Sequence, residues 1–577
     1  MTRLLWAAVV GCLLGLSAQE TPKPANPAAA KPKEPSEPGI PVTDSVVIAK
    51  CSPCHQKDDK GNLTRISWER TTPEGWQQVI KRMVRLNNLQ LTPGEARQIV
   101  RALSTTHGLA PEEAKLSAYY WEQRRQDEEF PNETVRTTCA SCHPFAVPKS
   151  WRRSKEEWDL LVNMHVGYFP VAEFTAFRRP PRAPNAPPPP PGQDQRDPVE
   201  QAIDTISKAY PLHTTEWSNW KASMRAPRLQ GRWLLNGYQP GRGPVVGEVR
   251  IEPAGTPDEF NTILDYTYTR DGAKHQRAGK AIVYTGYAWR GRTMREPADT
   301  TGPEQIREVM AISRDQATIE GRWFWGGYNE LEINAKLTRI TGSPAISHVS
   351  STRLRAGSTG NGIDIYGTAF PADIQPRDID LGAGLTVTQV RLQNSGRLTV
   401  TLDVAKDAPI GRRDLFVRQV LFPSAIAVYD TVDYIKVTPE TGLARLGGTS
   451  HPKGLQQFEA IGMNRGADGK PKTADDIDLG PLTNVQWSLE EFIAVYGDDD
   501  IQFVGTLNDN GLFTPAGEGP NPKRKFSRNN YGDVWIVATY RGTDAAETKD
   551  RKPLSGRAYL ISTVPLYIRW DQPEVAQ

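Results

Sequence analysis

Cysteine is nearly absent from this chain: its 577 residues contain five. Four stand in two pentapeptides of the same form, Cys51-Ser52-Pro53-Cys54-His55 and Cys139-Ala140-Ser141-Cys142-His143, and the fifth, Cys12, lies in an apolar amino-terminal stretch. No thiol remains for a structural disulfide or a catalytic nucleophile. The body of the protein must fold by core burial, for which the length is ample. A bias of charge is lacking too: the formal net charge is +3, which argues against a general nucleic-acid binder. After the amino-terminal stretch no run is long and apolar enough for a membrane helix, so no membrane partner is expected. No glycine-rich phosphate loop follows a strand, which removes nucleotide-dependent chemistry.

What is present is Cys-x-x-Cys-His, twice. Two thiols at this spacing bond the two vinyl groups of one porphyrin, and the adjacent histidine reaches the iron as proximal ligand. The rival readings are a redox dithiol or half a zinc site. Against them, each pair carries its own histidine and the chain begins like an exported one. Met1–Arg3 is a short basic start, Leu4–Leu16 is apolar, and Leu16-Ser17-Ala18 offers small residues for cleavage before Gln19. Reading Cys12 as a lipoprotein acceptor fits less well, because Leu13 and Leu14 follow it directly. Two haems c are therefore expected, attached through Cys51, Cys54, Cys139 and Cys142. His55 and His143 are the expected proximal ligands, and the bacterial periplasm is the expected compartment after loss of a signal peptide.

The chain divides into α and then β parts. Residues 1–18 read as the signal peptide and 19–42 as a Pro/Ala-rich tether that need not fold. Residues 43–227 have helical periodicity and read as an all-α tandem cytochrome-c-like dihaem domain. Beyond them, short runs rich in Val, Ile, Thr and aromatics alternate with turn residues. GRWLLNGY (231–238) recurs as GRWFWGGY (321–328). Residues 228–341 read as an antiparallel β-barrel whose aromatics fill its core. The spans 342–437 and 438–577 read as two immunoglobulin-like β-sandwiches without the cysteine pair of antibody domains.

The helical part is itself a repeat. Thr72 caps a helix with Pro73 at its first position, and Trp76, Val79, Ile80 and Met83 fall on one face. Ser154 caps a second helix, with Glu157 placed to complete a capping box, and Trp158, Leu161, Val162 and His165 share its face. In each copy a tryptophan stands four residues after the cap and a residue able to bind iron stands seven after that. TPGE (92–95) and DPVE (197–200) open a further helix in each copy. The second copy carries a polyproline insertion, RRPPRAPNAPPPPPG (178–192), expected to be a surface excursion. The repeat selects Met83 as sixth ligand of the first iron and His165 of the second. His107 competes for the first iron and Met164 for the second, and His213 and Met224 are further candidates. A methionine ligand raises a haem potential and a second histidine lowers it. Six-coordination at both irons argues against a peroxidase.

These parts in this order resemble the large α subunit of quinohaemoprotein amine dehydrogenase. The resemblance rests on CSPCH, the Trp76–Met83 helix, CASCH, the Trp158–His165 helix and the β tail. Within that tail DGKPKTADDIDLGPL (468–482) and YGDVWIVATY (531–540) are also similar. The resemblance implies an electron-transfer subunit of a periplasmic heterotrimer that oxidises primary amines to aldehydes. It implies one His/Met and one bis-His haem, and cysteine tryptophylquinone in a separate small γ subunit. It implies a β-propeller β subunit, and a soluble cytochrome c or copper protein as acceptor. No catalytic residue is expected in this chain. The alternative is a stand-alone dihaem electron carrier whose β domains dock partners.

Overall fold

The computed structural model describes residues 37–123, 128–179, 185, 190–192, 194–493, 498–542 and 552–564. The signal-peptide reading, most of the tether and most of the polyproline insertion lie outside the described residues.

Nine helices open the described chain: α1 (Ser45–Cys51), α2 (Pro73–Asn87), α3 (Pro93–Thr106), α4 (Pro111–Lys115), α5 (Glu133–Cys139), α6 (Ala146–Lys149), α7 (Lys155–Tyr168), α8 (Pro198–Ala209) and α9 (Thr215–Ser223). The caps read from the sequence shape them locally. Thr72 Oγ1 accepts from the Gly75 amide and Ser154 Oγ from the Glu157 amide, which satisfies orphan donors of each first turn. The expected box at Ser154 is only half formed, because the Glu157 carboxylate is taken by Arg65 Nε at 2.5 Å. Asp197 likewise makes no cap bond and accepts from the Arg179 amide at 3.0 Å.

The helical region is not purely α. Each of α2 and α7 is preceded by a three-residue strand, β1 (Glu69–Thr71) and β2 (Trp151–Arg153). The two pair antiparallel with Arg70 opposite Arg152. The ribbon sits where the two halves meet, so they are joined through backbone hydrogen bonds and are not merely adjacent. The stretch read as tether is also packed at its end. Ile40 and Val42 are buried, the Ile40 amide donates to Ser67 O, and Trp68 Nε1 donates to Glu37 O.

The barrel comprises β3 (Gly231–Gln239), β4 (Gly243–Pro253), β5 (Glu259–Tyr268), β6 (Lys274–Tyr284), β7 (Ala288–Arg295), β8 (Gln305–Ile312), β9 (Thr318–Trp325) and β10 (Leu331–Arg339). They run as an antiparallel meander closed by β10 on β3. Burial alternates along β5 as a half-buried strand requires. The repeated GRW segments lie on β3 and β9, the two neighbours of β10, with Trp233 and Trp323 inside. Gly279 is obligatory, since a Cβ there would meet Arg292 O at 2.0 Å. The first helical half shares a core with the β6–β7 hairpin, where Ile282, Tyr284, Tyr287 and Ala288 pack with Trp76, Ile99 and Trp217.

One carboxyl inside the barrel sets a pH dependence. Glu308 is buried, accepts from Trp289 Nε1 at 2.8 Å, and its other oxygen has no partner. Burial pushes its pKa up to about 7, against the Trp289 bond and the Arg277 charge. The folded value lies above the unfolded one, so the stability it contributes is complete below pH 4.5 and lost as pH rises through 7. Glu308→Gln keeps an acceptor for Trp289 and cannot ionise. It should be more stable than the native chain at pH 8 and melt higher, by an amount on the order of 3 kcal/mol, with little difference at pH 5. Equal melting curves at pH 8 would show that the carboxyl titrates normally.

Two β units follow. In the first, one sheet orders Ala345–Val349, Asn361–Thr368, Arg397–Val404 and Leu385–Asn394. A second orders Arg353–Arg355, Val420–Tyr429, Gly411–Val417 and Ile379–Asp380. Ile365, Leu398, Val400, Leu415, Ile426 and Val428 fill the core between them. The last unit has sheets of three, four and three strands around Phe458, Phe513, Ile536 and Leu560. In both units one short strand joins its sheet in parallel, Arg353–Arg355 on Val420–Tyr429 and Thr441–Arg445 on Leu554–Thr563. No helix among the described residues is long and apolar enough to cross a membrane.

Candidate haem-binding site

Both motifs leave a helix at the same point. Cys51 ends α1 and Cys139 ends α5, so Cys54, His55, Cys142 and His143 fall in the loop that follows each. All four thiols are free of disulfide bonds. Burial pushes the Cys51 thiol up to about 11 and that of Cys139 up to about 12.

The histidines are preset by the chain's own carbonyls. His55 Nδ1 lies 2.9 Å from Thr64 O, His143 Nδ1 3.0 Å from Pro144 O, and His165 Nδ1 2.8 Å from Leu161 O. A carbonyl only accepts, so in each ring Nδ1 carries the proton and Nε2 presents a lone pair when the ring is neutral. Among the described residues, Nε2 of none of the three has a hydrogen-bond partner. Burial holds His165 below its ordinary pKa, which favours that neutral, ligating form. The ring centroids of His143 and His165 are 6.2 Å apart, tilted by 37°. A metal held between two Nε2 atoms at about 2 Å each, with each ring centre roughly 1.1 Å behind its nitrogen, separates the centres by about 6 Å. The observed centroid separation equals that spacing. Phe177 packs edge-on against His165 at 5.9 Å.

Met83 lies on α2, half-buried, and its sulfur accepts from Asn87 Nδ2 at 3.6 Å. The other candidates are placed differently. His107 is buried with both ring nitrogens engaged, Nε2 with Ile40 O at 3.0 Å and Nδ1 with Thr106 Oγ1 at 2.7 Å. Burial lowers its pKa to about 4. His213 Nε2 is bound to Pro38 O at 2.7 Å. Met224 packs over Gly286 of the barrel. Met164 neighbours His165 on α7, rotated by roughly 100° around the helix.

Several residues around the sites escaped the motif reading. Trp76 Nε1 donates to His107 O and Trp158 Nε1 to Tyr210 O, so each half clamps its tryptophan to the end of its following helix. Between the halves Glu113 joins Arg70 and Arg152, all three buried. Arg153 lies 4.1 Å from the Trp151 ring centroid and 5.5 Å from that of Trp158, and pairs with Glu69. The Glu128 carboxylate accepts from the Phe145 and Ala146 amides after the second motif. A signal was present in the sequence, since Ser67-Trp68-Glu69-Arg70 and Ser150-Trp151-Arg152-Arg153 repeat one Ser-Trp-x-Arg pattern.

Two similar helical halves, each with a Cys-x-x-Cys-His loop, mounted on a barrel and two further β units, define a multidomain haem-binding protein. The chain belongs to the family of the quinohemoprotein amine dehydrogenase alpha subunit. Its haem-binding model matches residues 42–182, and the models of domains II, III and IV match 226–339, 343–430 and 435–575, in sequence order and over most of the chain. The protein is thus a subunit of a multisubunit amine dehydrogenase, an oxidoreductase. No curated protein matches it. Likenesses among solved structures are local. The redesigned β-barrel mFAP1 bound to DFHBI is 16% identical, covering 20% of this chain and 99% of that one at TM-score 0.17. Human protocadherin-24 EC1-2 is 12% identical, covering 39% and 98% at 0.16.

Proposed function

We propose that this chain is the electron-carrying subunit of a periplasmic quinohaemoprotein amine dehydrogenase. In this reading Cys51 and Cys54 hold one haem c, and Cys139 and Cys142 a second. His55 and Met83 are axial ligands of the first iron, His143 and His165 of the second. The observation that carries the reading is the close pair His143 and His165 beside a Cys-x-x-Cys-His loop, within a chain matched over most of its length by the α-subunit models. Parallel pairing of a short strand in each carboxy-terminal unit supports an immunoglobulin-like topology for both.

Haem c supplies one-electron chemistry. The chain's own residues do the rest. The Thr64, Pro144 and Leu161 carbonyls hold three imidazoles in the tautomer that ligates, as outer-shell acceptors do at metal sites. Trp76 and Trp158 fix α2 and α7, and with them Met83 and His165. Oxidising an amine needs an electrophilic carbonyl cofactor and a base near the substrate carbon, and this chain has no cysteine left to build such a cofactor. The amine step therefore falls to cysteine tryptophylquinone in a small γ subunit, enclosed with a β-propeller β subunit. Electrons leave to a soluble cytochrome c or copper protein.

The test is amine-dependent reduction followed at the haem α-band. The assembled complex should be reduced on adding a primary amine. The purified chain with its haems should stay oxidised with amine, yet accept electrons from a chemical reductant. Amine-driven reduction of the chain alone would overturn the division of labour.

A further inference from the structure

The loop after the first motif contains a strained residue whose neighbour touches the haem ligands. Arg65 has φ of 71° and ψ of −57°. The Ile66 amide donates back to Thr64 O at 2.9 Å. Thr64, Arg65 and Ile66 thus form a γ-turn of the positive-φ kind, which is rare and strained. A residue other than glycine held there is costly and persists only where its surroundings impose it. The same Thr64 carbonyl is the acceptor for His55 Nδ1, at 2.9 Å. The strained turn therefore places an outer-shell partner of the first proximal histidine.

Two sets of contacts impose the turn. At its base the Ser67 amide donates to Leu63 O and the Leu63 amide to Ser67 Oγ, both at 2.9 Å. At its apex Arg65 Nε donates to Glu157 Oε2 at 2.5 Å, across 92 positions of the chain. Glu157 is buried and lies in the first turn of α7, roughly two turns before His165 on the same helix. The other charges that act on Glu157 are Glu69 from β1 and Arg153 from β2. The second motif meets the same need locally, since His143 Nδ1 lies against the carbonyl of the next residue, Pro144. The first proximal histidine therefore leans on the second half, and the second does not lean on the first.

We propose that Arg65 and Glu157 are positioning residues: from α7 they hold the strained turn that aims the Thr64 carbonyl at His55, and so set the reduction potential of the first haem from the second half of the domain. A carbonyl that accepts from Nδ1–H makes the imidazole more basic at Nε2. A more basic ligand favours ferric iron and lowers the potential. The bridge thereby moderates the gap that a methionine on one iron and a second histidine on the other would open. The inference rests on the reading of His55 and Met83 as ligands of the first iron.

The experiment is a redox titration of the full chain with both haems, in native, Arg65→Ala, Arg65→Lys and Glu157→Gln forms. It is run at pH 8, because burial and the Glu69 charge push the Glu157 carboxyl up to about 7, against the Arg65 and Arg153 charges. The haems are told apart by their unequal potentials, and solvent exchange of the His55 Nδ1 proton is followed by NMR in the ferric state. Arg65→Ala should shift the first haem toward its ferrous form by about two- to tenfold and speed that exchange by a similar factor. The second haem's unchanged spectrum serves as the check on folding. The direction separates positioning from charge, since loss of a nearby cation by itself disfavours the added electron and lowers the potential. Arg65→Lys keeps the cation and its reach and should return both readouts to native values. Glu157→Gln leaves its amide bonded to Ser154 Oγ and should speed the same exchange, which keeps the test alive if Arg65→Ala does not fold. A lowered first potential in Arg65→Ala, or native exchange in both Arg65→Ala and Glu157→Gln, would overturn the positioning role and leave the electron-carrier reading standing. A native chain whose first haem shows no histidine Nδ1 proton would instead overturn the ligand reading on which the inference rests.

Discussion

A chain carrying Cys139→Ser and Cys142→Ser should retain one covalent haem where the native chain should retain two. Thioether attachment would use both sulfurs of each motif, and the two motifs begin at the ends of separate helices, α5 and α1, in separate cores. Loss at one should therefore leave the other intact. His143 and His165 would still face each other, so porphyrin could bind there without a bond. Acid–acetone extraction separates the cases, because it removes free haem and leaves attached haem in the protein. Haem counted after extraction should fall by half, and the spectrum that remains should be that of the Cys51 and Cys54 site. Two covalent haems surviving the double change would mean that the second motif is not an attachment site.

Glu113→Ala should be among the most destabilising single changes in the helical region, costing about 3–5 kcal/mol. The carboxylate accepts from Arg70 Nη1 and Nη2 at 2.9 Å each, from Arg152 Nε at 3.2 Å, from Thr214 Oγ1 at 2.9 Å and from the Ala110 amide at 2.8 Å. Removing it strands two buried guanidinium groups opposite each other on the ribbon. Burial acts to raise the carboxyl's pKa, but the Arg70 bonds and the Arg70 and Arg152 charges outweigh it and hold it below the usual range. Its stabilisation is thus present above pH 4.5 and lost as pH falls below that. Urea unfolding at pH 7 and pH 4 measures both effects. A loss under about 1 kcal/mol at pH 7 would place the triad at a site that water reaches.

Much of this was legible in the chain because local chemistry dictates it. Thr72, Pro73 and Trp76 announce a helix start and its buried face, and Ser154 with Trp158 does so again. Spacing of seven from each tryptophan put His165 on the side of α7 that meets His143. Strict alternation in segments such as Glu259–Tyr268 made the barrel readable, and the GRW repeat marked strands that prove to flank its closure. The ribbon was not legible. Glu69–Thr71 and Trp151–Arg153 are buried at every position, so they lack the alternation that betrays a strand, and three of their six residues, Arg70, Arg152 and Arg153, face a carboxylate more than 35 positions away. Nor could sequence show that Glu157 leaves its capping role for Arg65, or that His107 and His213 serve residues 38–40. Those are choices between competing partners, and only the packed structure decides them.

The ribbon also sets an order of events in the life of the chain. Its Cα partners Glu69 and Arg153 lie 84 residues apart. Closing so long a loop is entropically unfavourable and slow compared with winding a helix. As the polypeptide emerges amino terminus first, Cys51 and Cys54 are accessible before residue 153 follows to seal the first half against the second. Any enzyme that attaches a haem at the first motif would thus meet it on an open chain. The second motif, only a short stretch ahead of β2, has a much briefer interval before the two halves lock.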